Sequence, residues 1–361
     1  MRGKRLKDLG ENSILKQLIL PKFPSIQRAP FFMEDDCAVI LPKQKGHVIV
    51  TTMDPCPTPV AFLIDRNKDY YHFGWFTVII NVSDLAAVGA EPIGLLVSTI
   101  MPEEMLVSNY IRFLDGLADA SKRFCIPIIG GNIKDGKEFS ATGTAFGSID
   151  TKLIMQRKGA RSGDLICVIG EMGLFWTAVI SHLRKIRLPR KETDLLHSAM
   201  YKPIPKIQEG IHFAKGRLLS SCIDSSDGIS SCLYTLAQCN KIDLEIDSDL
   251  FHPHPLIKQL AEKFHLDYKK LMLAWGGWEL VGTIPPKNVK SAEKIIKTLG
   301  SQFTIVGKVV EGPGNVRIIH ENEIGLLTDF GSYRFCNTSY FSHGINAYID
   351  YLINAPILKK F

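Results

Sequence analysis

The stretch that most constrains this chain is a long apolar segment that ends in a glycine and a proline. The segment begins near Tyr70 and closes with Asn81-Val82-Ser83-Asp84-Leu85-Ala86-Ala87-Val88-Gly89-Ala90-Glu91-Pro92. Its length and apolarity predict a helix that lies mostly inside a core. Gly89, followed by Pro92, predicts the end of that helix.

Asn81 and Asp84 are three residues apart, so their side chains share one face of the predicted helix. An amide and a carboxylate on a mostly buried helix need partners, because an unpaired buried polar group is costly. One interpretation is that Asp84 only bonds a nearby loop. The other is that Asp84 belongs to a functional site. The positions of the other acidic residues in the chain distinguish the two interpretations.

Length and composition limit the class of protein. The 361 residues suffice for two domains, and 45% hydrophobic with 22% charged residues is typical of a soluble globular chain. The net charge is only +6 and no basic block is interleaved with aromatic residues, so we expect no nucleic-acid partner. The eight cysteines include no C-x-x-C pair, which favours neither a zinc framework nor a disulfide scaffold. Without a signal peptide or a bilayer-spanning run, we expect a cytoplasmic protein with no membrane partner.

Strands and helices alternate along both halves of the chain, which predicts an α/β (α+β) fold. In the first half, residues 103–124 read as an amphipathic helix, and a strand at residues 126–129 runs into Gly130-Gly131-Asn132. A polar, glycine-containing junction at residues 155–164 opens the second half. We therefore predict two domains, residues 1–150 and 151–361.

Acidic side chains at strand ends and helix edges indicate a shared site in this sequence. These five acids are Asp36, Asp54, Asp84, Asp224 and Asp227, and they occur in four segments. Acids pooled in one cleft repel one another unless cations are bound, and Mg²⁺ is commonly held by one or two carboxylates together with substrate phosphates. The alternative is that each acid lies in a solvated turn.

Glycine and hydroxyl residues near these acids fit a phosphate ligand. Gly130-Gly131 after a strand lets the backbone approach a phosphate closely. Ser226, and the start of the helix after Gly228, offer a hydroxyl and free backbone N–H groups. No Walker loop or protein-kinase motif is present. The sequence therefore favours a nucleotide site built from dispersed acids.

Four motifs together resemble the thiamine-monophosphate kinase family, which belongs to the superfamily of aminoimidazole ribonucleotide synthetase and selenophosphate synthetase. They occur in the family's order and span nearly the whole chain. The motifs are Asp35-Asp36-Cys37-Ala38, residues 81–90, Arg157-Lys158-Gly159-Ala160-Arg161-Ser162-Gly163-Asp164 and Ile223-Asp224-Ser225-Ser226-Asp227-Gly228.

The resemblance implies a two-domain, synthetase-type fold. The N-terminal mixed sheets of two copies would pair into a dimeric barrel, and the C-terminal domain would be an α/β sandwich. It implies ATP and Mg²⁺ as cofactors, Asp84 and Asp227 as catalytic residues, and a small phosphorylated or heterocyclic substrate. The implied metal ligands are Asp35, Asp36, Asp54, Asp84, Asp224 and Asp227, and the implied nucleotide contacts are Gly131, Asn132, Arg157 and Ser226.

The sequence departs from the family pattern mainly in the substrate half. Asn132 replaces a metal-binding carboxylate, and Ala61 replaces a substrate-contacting histidine. The loop Gly276-Gly277-Trp278-Glu279-Leu280 is two residues shorter and lacks the substrate-facing acid. Trp278 either stacks on a substrate ring or belongs to the core. Phe330 and Tyr333 occupy the place of the family's aromatic substrate wall.

Three functions remain open from the sequence. The first is ATP-dependent phosphoryl transfer, with thiamine monophosphate as the best acceptor. The second is an ATP-dependent synthetase that activates a carbonyl or amide oxygen. The third is a catalytically degenerate nucleotide-binding protein, which the amide at Asn132 and the shortened loop after Gly276 would explain.

Overall fold

The computed structural model describes residues 38–40, 46–66, 68–331 and 340–360. In these ranges the strands are β1 Ala38–Ile40, β2 His47–Pro55, β3 Glu91–Met101, β4 Ile128–Asp135, β5 Ser140–Asp150, β6 Leu165–Ile169, β7 Ser221–Asp224, β8 Ile242–Asp247, β9 Leu280–Ile284, β10 Phe303–Glu311, β11 Val316–His320, β12 Glu323–Leu327 and β13 Leu358–Lys359. The α-helices are α1 Val60–Ile64, α2 Tyr71–Val88, α3 Val107–Arg123, α4 Leu174–Leu183, α5 Arg190–Tyr201, α6 Ile207–Gly216, α7 Ile229–Asn240, α8 Pro255–Phe264, α9 Tyr268–Leu273, α10 Val289–Leu299 and α11 Tyr340–Asn354. None of these helices combines the length and the apolarity needed to cross a bilayer.

The strands form two mixed sheets. The first has the order β1-β2-β5-β3-β4, with β3 and β4 parallel and the other pairs antiparallel. The second has the order β13-β12-β11-β8-β10-β6-β9-β7, in which only β8 and β11 are parallel. The predicted mixed α/β class is confirmed. The first sheet ends at Asp150 and the second begins at Leu165, and the domain boundary between residues 150 and 151 stays a prediction.

Helix α2 is buried along its whole length, from Tyr71 to Val88. It packs on the first sheet and α3 on one side, and on α6 and β7 of the second half on the other. It ends at Gly89, whose φ of 79° is the left-handed conformation expected of a helix C-cap. The predicted helix and its end are therefore confirmed, and the helix joins the two halves through one apolar core.

The glycine pair Gly130-Gly131 corrects one expectation from the sequence. Both residues lie inside strand β4 and not in a loop after a strand. Gly131 pairs with Val97 of β3, and a Cβ atom on Gly131 would lie 1.8 Å from the Val97 carbonyl oxygen. Only a residue without a side chain permits this close approach of two parallel strands.

Helices α2 and α3 cross in close backbone contact at two glycines. A Cβ atom on Gly74 would lie 2.0 Å from the Phe113 carbonyl oxygen, and one on Gly116 would lie 2.0 Å from the Tyr71 carbonyl oxygen. Because the neighbouring atoms belong to the backbone, they cannot move aside as a flexible side chain could. The crossing therefore fixes how α2 lies over the first sheet.

We expect Gly74→Ala to lower the free energy of unfolding by about 1–3 kcal/mol, the usual cost of overpacking a core. The gain in helix propensity from alanine, about 1 kcal/mol, does not offset a displaced helix. Chemical denaturation measures the difference. Ser108→Ala, at an exposed position of α3, is the control, and equal stability of the two variants would contradict this packing.

Candidate functional site

A cleft opens where α2, the loop after β2, the turn after β7 and the loop before β9 meet. Five of the predicted site residues line it: Asp54, Asp84, Ser226, Asp227 and Trp278. Its empty volume, including the part open to solvent, is about 760 Å³, which is within the range of small-molecule sites. The structure thus brings residues from four separate segments to one concave surface.

Helix α2 holds the end of strand β2 against it through polar side chains. The Thr52 hydroxyl donates to Asp84 Oδ2 at 2.5 Å, and the backbone N–H of Asp54 donates to Asn81 Oδ1 at 3.2 Å. Asn81 in turn donates its amide hydrogen to the Thr77 carbonyl oxygen at 2.9 Å. Asn81 has no exposed surface and Asp84 is 8% exposed. These bonds place the carboxylates of Asp54 and Asp84 on the same wall of the cleft.

The same helix also holds the turn that follows β7. Ser83 donates to Asp224 Oδ2 at 2.8 Å, and Ser226 donates to Asp224 Oδ1 at 3.3 Å. Asp224 is buried and stands behind the cleft, whereas Ser226 and Asp227 line it. The predicted metal ligand Asp224 therefore joins the two halves of the chain and orients Ser226.

The acids of the cleft fit Mg²⁺ only when it is shared with a phosphate. Among the described residues, no three histidine, cysteine or acidic side chains converge closely enough to hold a metal by themselves. Asp54, Asp84 and Asp227 nevertheless line one cleft on separate elements. Mg²⁺ needs only one or two carboxylates when phosphate oxygens and water complete its octahedron. Asp35 and Asp36 lie outside the described residues.

Gly131 and Asn132 lie in a second concavity, between strands β3 and β4 and helix α3. Its other lining residues include Thr99, Tyr110 and Leu114. Thr99 is 2% exposed, and its hydroxyl has no hydrogen-bond partner among the described residues. A concavity lined by apolar and aromatic side chains is suited to a flat ring system.

The register of the first sheet connects this concavity to the cleft. Asp54 pairs with Gly143, Gly143 with Val97, and Val97 with Gly131. Three strand spacings separate Asp54 from Gly131, a distance of about 14 Å. An extended nucleoside triphosphate can span that separation.

Three predicted contacts lie away from both concavities. Arg157 is on the junction between the sheets, where its carbonyl oxygen accepts a hydrogen bond from Asn240 Nδ2 at 2.8 Å. Ala61 on α1 and Phe330 have no exposed surface. Both side chains are enclosed by the core of the second half, and their contact with substrate stays a prediction. Tyr333 lies outside the described residues.

Trp278 is a core residue that also borders the cleft, and its stacking on a substrate ring stays a prediction. Its ring lines the cleft, yet it is only 7% exposed. It packs edge-on against Phe76, with ring centroids 6.4 Å apart. The ring therefore belongs to the core and forms part of the cleft wall at the same time.

The structure also adds residues that the sequence analysis missed. Phe175 and Trp275 line the cleft, and their ring centroids are 5.6 Å apart. Trp275 directly precedes the Gly276-Gly277 pair, and this position could have identified it as a site residue from the sequence. Phe175 lies in an apolar helix, where no sequence signal distinguishes it from the core residues around it. Glu279 was noted only as part of the shortened loop, with no role of its own: its buried carboxyl accepts a hydrogen bond from Ser225, and burial raises the pKa of that carboxyl.

Comparison with known proteins gives relatives along most of the chain. Residues 34–149 match the AIR synthase related protein, N-terminal domain. The thiamine-monophosphate kinase of Pyrococcus horikoshii is 31% identical over 255 residues, covering 70% of this chain and 76% of the relative. The thiamine-monophosphate kinase of Methanocaldococcus jannaschii is 30% identical over 300 residues, covering 77% of this chain and 86% of the relative.

Among solved structures, AaThiL complexed with AMPPCP and TMP has a TM-score of 0.77 at 24% identity. The match covers 92% of this chain and 100% of that one. At this identity the likeness shows the two-domain fold alone. The two relatives from P. horikoshii and M. jannaschii are each at least 30% identical and are covered over more than two thirds of their length. They show that the chain belongs to the thiamine-monophosphate kinase family.

Proposed function

We propose that this protein transfers a phosphoryl group from ATP to thiamine monophosphate, giving thiamine diphosphate and ADP, in the cytoplasm. The observation that carries the proposal is one cleft lined both by the acids Asp54, Asp84 and Asp227 and by the aromatic residues Phe175, Trp275 and Trp278. Acids suit a metal–phosphate group, and aromatic rings suit a heterocycle. The relatives named thiamine-monophosphate kinase, and the related fold solved with AMPPCP and TMP, support the same pair of substrates.

The nucleotide base would occupy the concavity beside α3, against Tyr110 and Leu114. The phosphates would then follow the row of paired strands from Gly131 to the acids of the cleft. Mg²⁺, when bound, would neutralise charge on the phosphates. Asn132 offers an oxygen without a charge, so it would hold a cation more weakly than a carboxylate does.

The acceptor would lie against the aromatic wall. Thiamine carries a cationic thiazolium ring, and Trp275, Phe175 and Trp278 present aromatic surface on which a cation is attracted. A terminal oxygen of its phosphate would attack the γ-phosphorus in line, and the bond from that phosphorus to the bridging oxygen of ADP would break. Asp84 and Asp227 would orient the phosphates, and such transfer depends mainly on positioning and charge.

The test follows ADP and thiamine diphosphate together, with Mg²⁺–ATP and with or without thiamine monophosphate. We expect both products in equal amounts, and we expect Asp84→Asn to lower kcat roughly 100-fold or more, as removal of one electrostatic contact to a reacting group does. Glu323→Gln, at an exposed position of β12, is the control and should react as the wild type does.

The outcomes separate the candidate functions. ADP without thiamine diphosphate would overturn the acceptor and keep the nucleotide site. ADP together with inorganic phosphate, and a product that does not retain the transferred phosphoryl group, would favour the synthetase. No ADP under any condition would contradict the proposed phosphoryl transfer.

We also propose a homodimer that pairs the outer faces of the first sheets. The inner face of each strand packs on helices, as Val50 and Val97 do, whereas the alternate residues face outward. Four large apolar side chains on that outer face are exposed by 36–66%: Ile49, Met53, Leu96 and Ile100. A continuous apolar sheet face normally marks an interface, and a second copy offers a matching one.

Sedimentation equilibrium tests the dimer. We expect the wild type at about twice the chain mass of 40.3 kDa, and Leu96→Glu as a folded monomer, because the interface would have to bury a carboxylate. Ile319→Glu, at a similarly exposed strand position in the second sheet, should remain a dimer. A monomeric wild type, or a dimeric Leu96→Glu, would contradict this interface.

A further inference from the structure

We infer that Glu279 is a positioning residue, whose side chain fixes the turn that carries Ser226 and Asp227 into the cleft. The inference extends the proposed function, because that turn supplies part of the phosphate and metal site. Glu279 does not line the cleft itself. It would act through Ser225, the first residue of the turn.

Three hydrogen bonds connect Glu279 to Ser225. The backbone N–H of Ser225 donates to the Glu279 carbonyl oxygen at 2.9 Å, and the backbone N–H of Glu279 donates to Ser225 Oγ at 2.8 Å. Ser225 Oγ then donates to Glu279 Oε2 at 2.5 Å. Ser225 has no exposed surface and Glu279 is 2% exposed, so water does not compete for these bonds.

The bonds to Ser225 determine the direction of the next two residues. The Gly228 N–H donates to the Ser225 carbonyl oxygen at 2.9 Å, which closes a four-residue turn. Ser226 and Asp227 are the two central residues of that turn, and both line the cleft. Since the N–H, the carbonyl oxygen and the hydroxyl of Ser225 are all engaged, the turn has a fixed origin at the end of β7.

The surroundings of Glu279 are shaped to hold a carboxyl group. A Cβ atom on Gly277 would lie 1.9 Å from Glu279 Oε1, so the glycine leaves the space that the carboxyl fills. Burial raises the pKa of this carboxyl, while Lys206 acts in the opposite direction and Glu171 in the same direction as burial. The hydrogen bond from Ser225 also acts against burial and lowers that pKa.

Two substitutions of similar size separate hydrogen bonding from space filling. Glu279→Gln keeps an oxygen acceptor, whereas Glu279→Leu fills the space without one. A third variant, Gly277→Ala, leaves Glu279 in the sequence but displaces its carboxyl. Glu293→Ala, at an exposed position of α10, is the control. Thermal unfolding of every variant establishes that it is folded.

The readouts are calorimetric binding of Mg²⁺–AMPPCP and kcat with thiamine monophosphate. We expect Glu279→Leu and Gly277→Ala to weaken nucleotide binding and to lower kcat roughly 10- to 100-fold, as misplacement of a reacting group by about an ångström does. Glu279→Gln should bind and react as the wild type does. The concentration of Mg²⁺ for half-maximal binding should rise in the first two variants only.

The result that overturns the inference is equal behaviour of Glu279→Gln and Glu279→Leu, whether both match the wild type or both fail. A wild type that binds Mg²⁺–AMPPCP but does not phosphorylate thiamine monophosphate would contradict the proposed function alone, and the binding data would still decide the role of Glu279. A wild type that binds no nucleotide would overturn both.

Discussion

The geometry of this protein depends on the complete burial of helix α2. A helix enclosed on all sides cannot leave polar side chains to water, and each one left without a partner would cost about 1–3 kcal/mol. Asn81 and Asp84 therefore bond to strand β2, and Ser83 bonds to Asp224 at the end of β7. The same bonds that satisfy the helix bring the acids of both halves into one cleft.

This arrangement explains how acids that repel one another come to share a site. Asp54, Asp84 and Asp227 are each carried by a different element, and their positions are set by backbone and side-chain bonds behind the cleft. Packing and hydrogen bonds elsewhere in the fold thus offset the repulsion among these three carboxylates. Their negative charge can then bind a metal–phosphate group. Aromatic side chains line the same cleft, so a polyanion and a ring system can both find partners in it.

Local sequence signals were enough for helix α2, for its end at Gly89 and for the acids that line the cleft. Local signals were not enough where contacts between residues distant in sequence determine the structure. The pair Gly130-Gly131 resembles a loop locally, but pairing with β3 makes it part of a strand. The complete burial of Ala61 and Phe330 likewise depends on the core of the second half, which no local pattern indicates. Glu279 is one acid with no periodic pattern around it, so its contact with Ser225, 54 residues away in sequence, could not be seen from the sequence.

The most direct test of this account is a crystal structure with Mn²⁺ and AMPPCP, because Mn²⁺ accepts the same oxygen ligands as Mg²⁺ and is located by its anomalous scattering. We predict Mn²⁺ between the phosphates and the carboxylates of Asp54, Asp84 or Asp227, with the adenine against Tyr110 and Leu114. Mn²⁺ away from these acids, or adenine stacked on Trp275 in place of the acceptor, would contradict it.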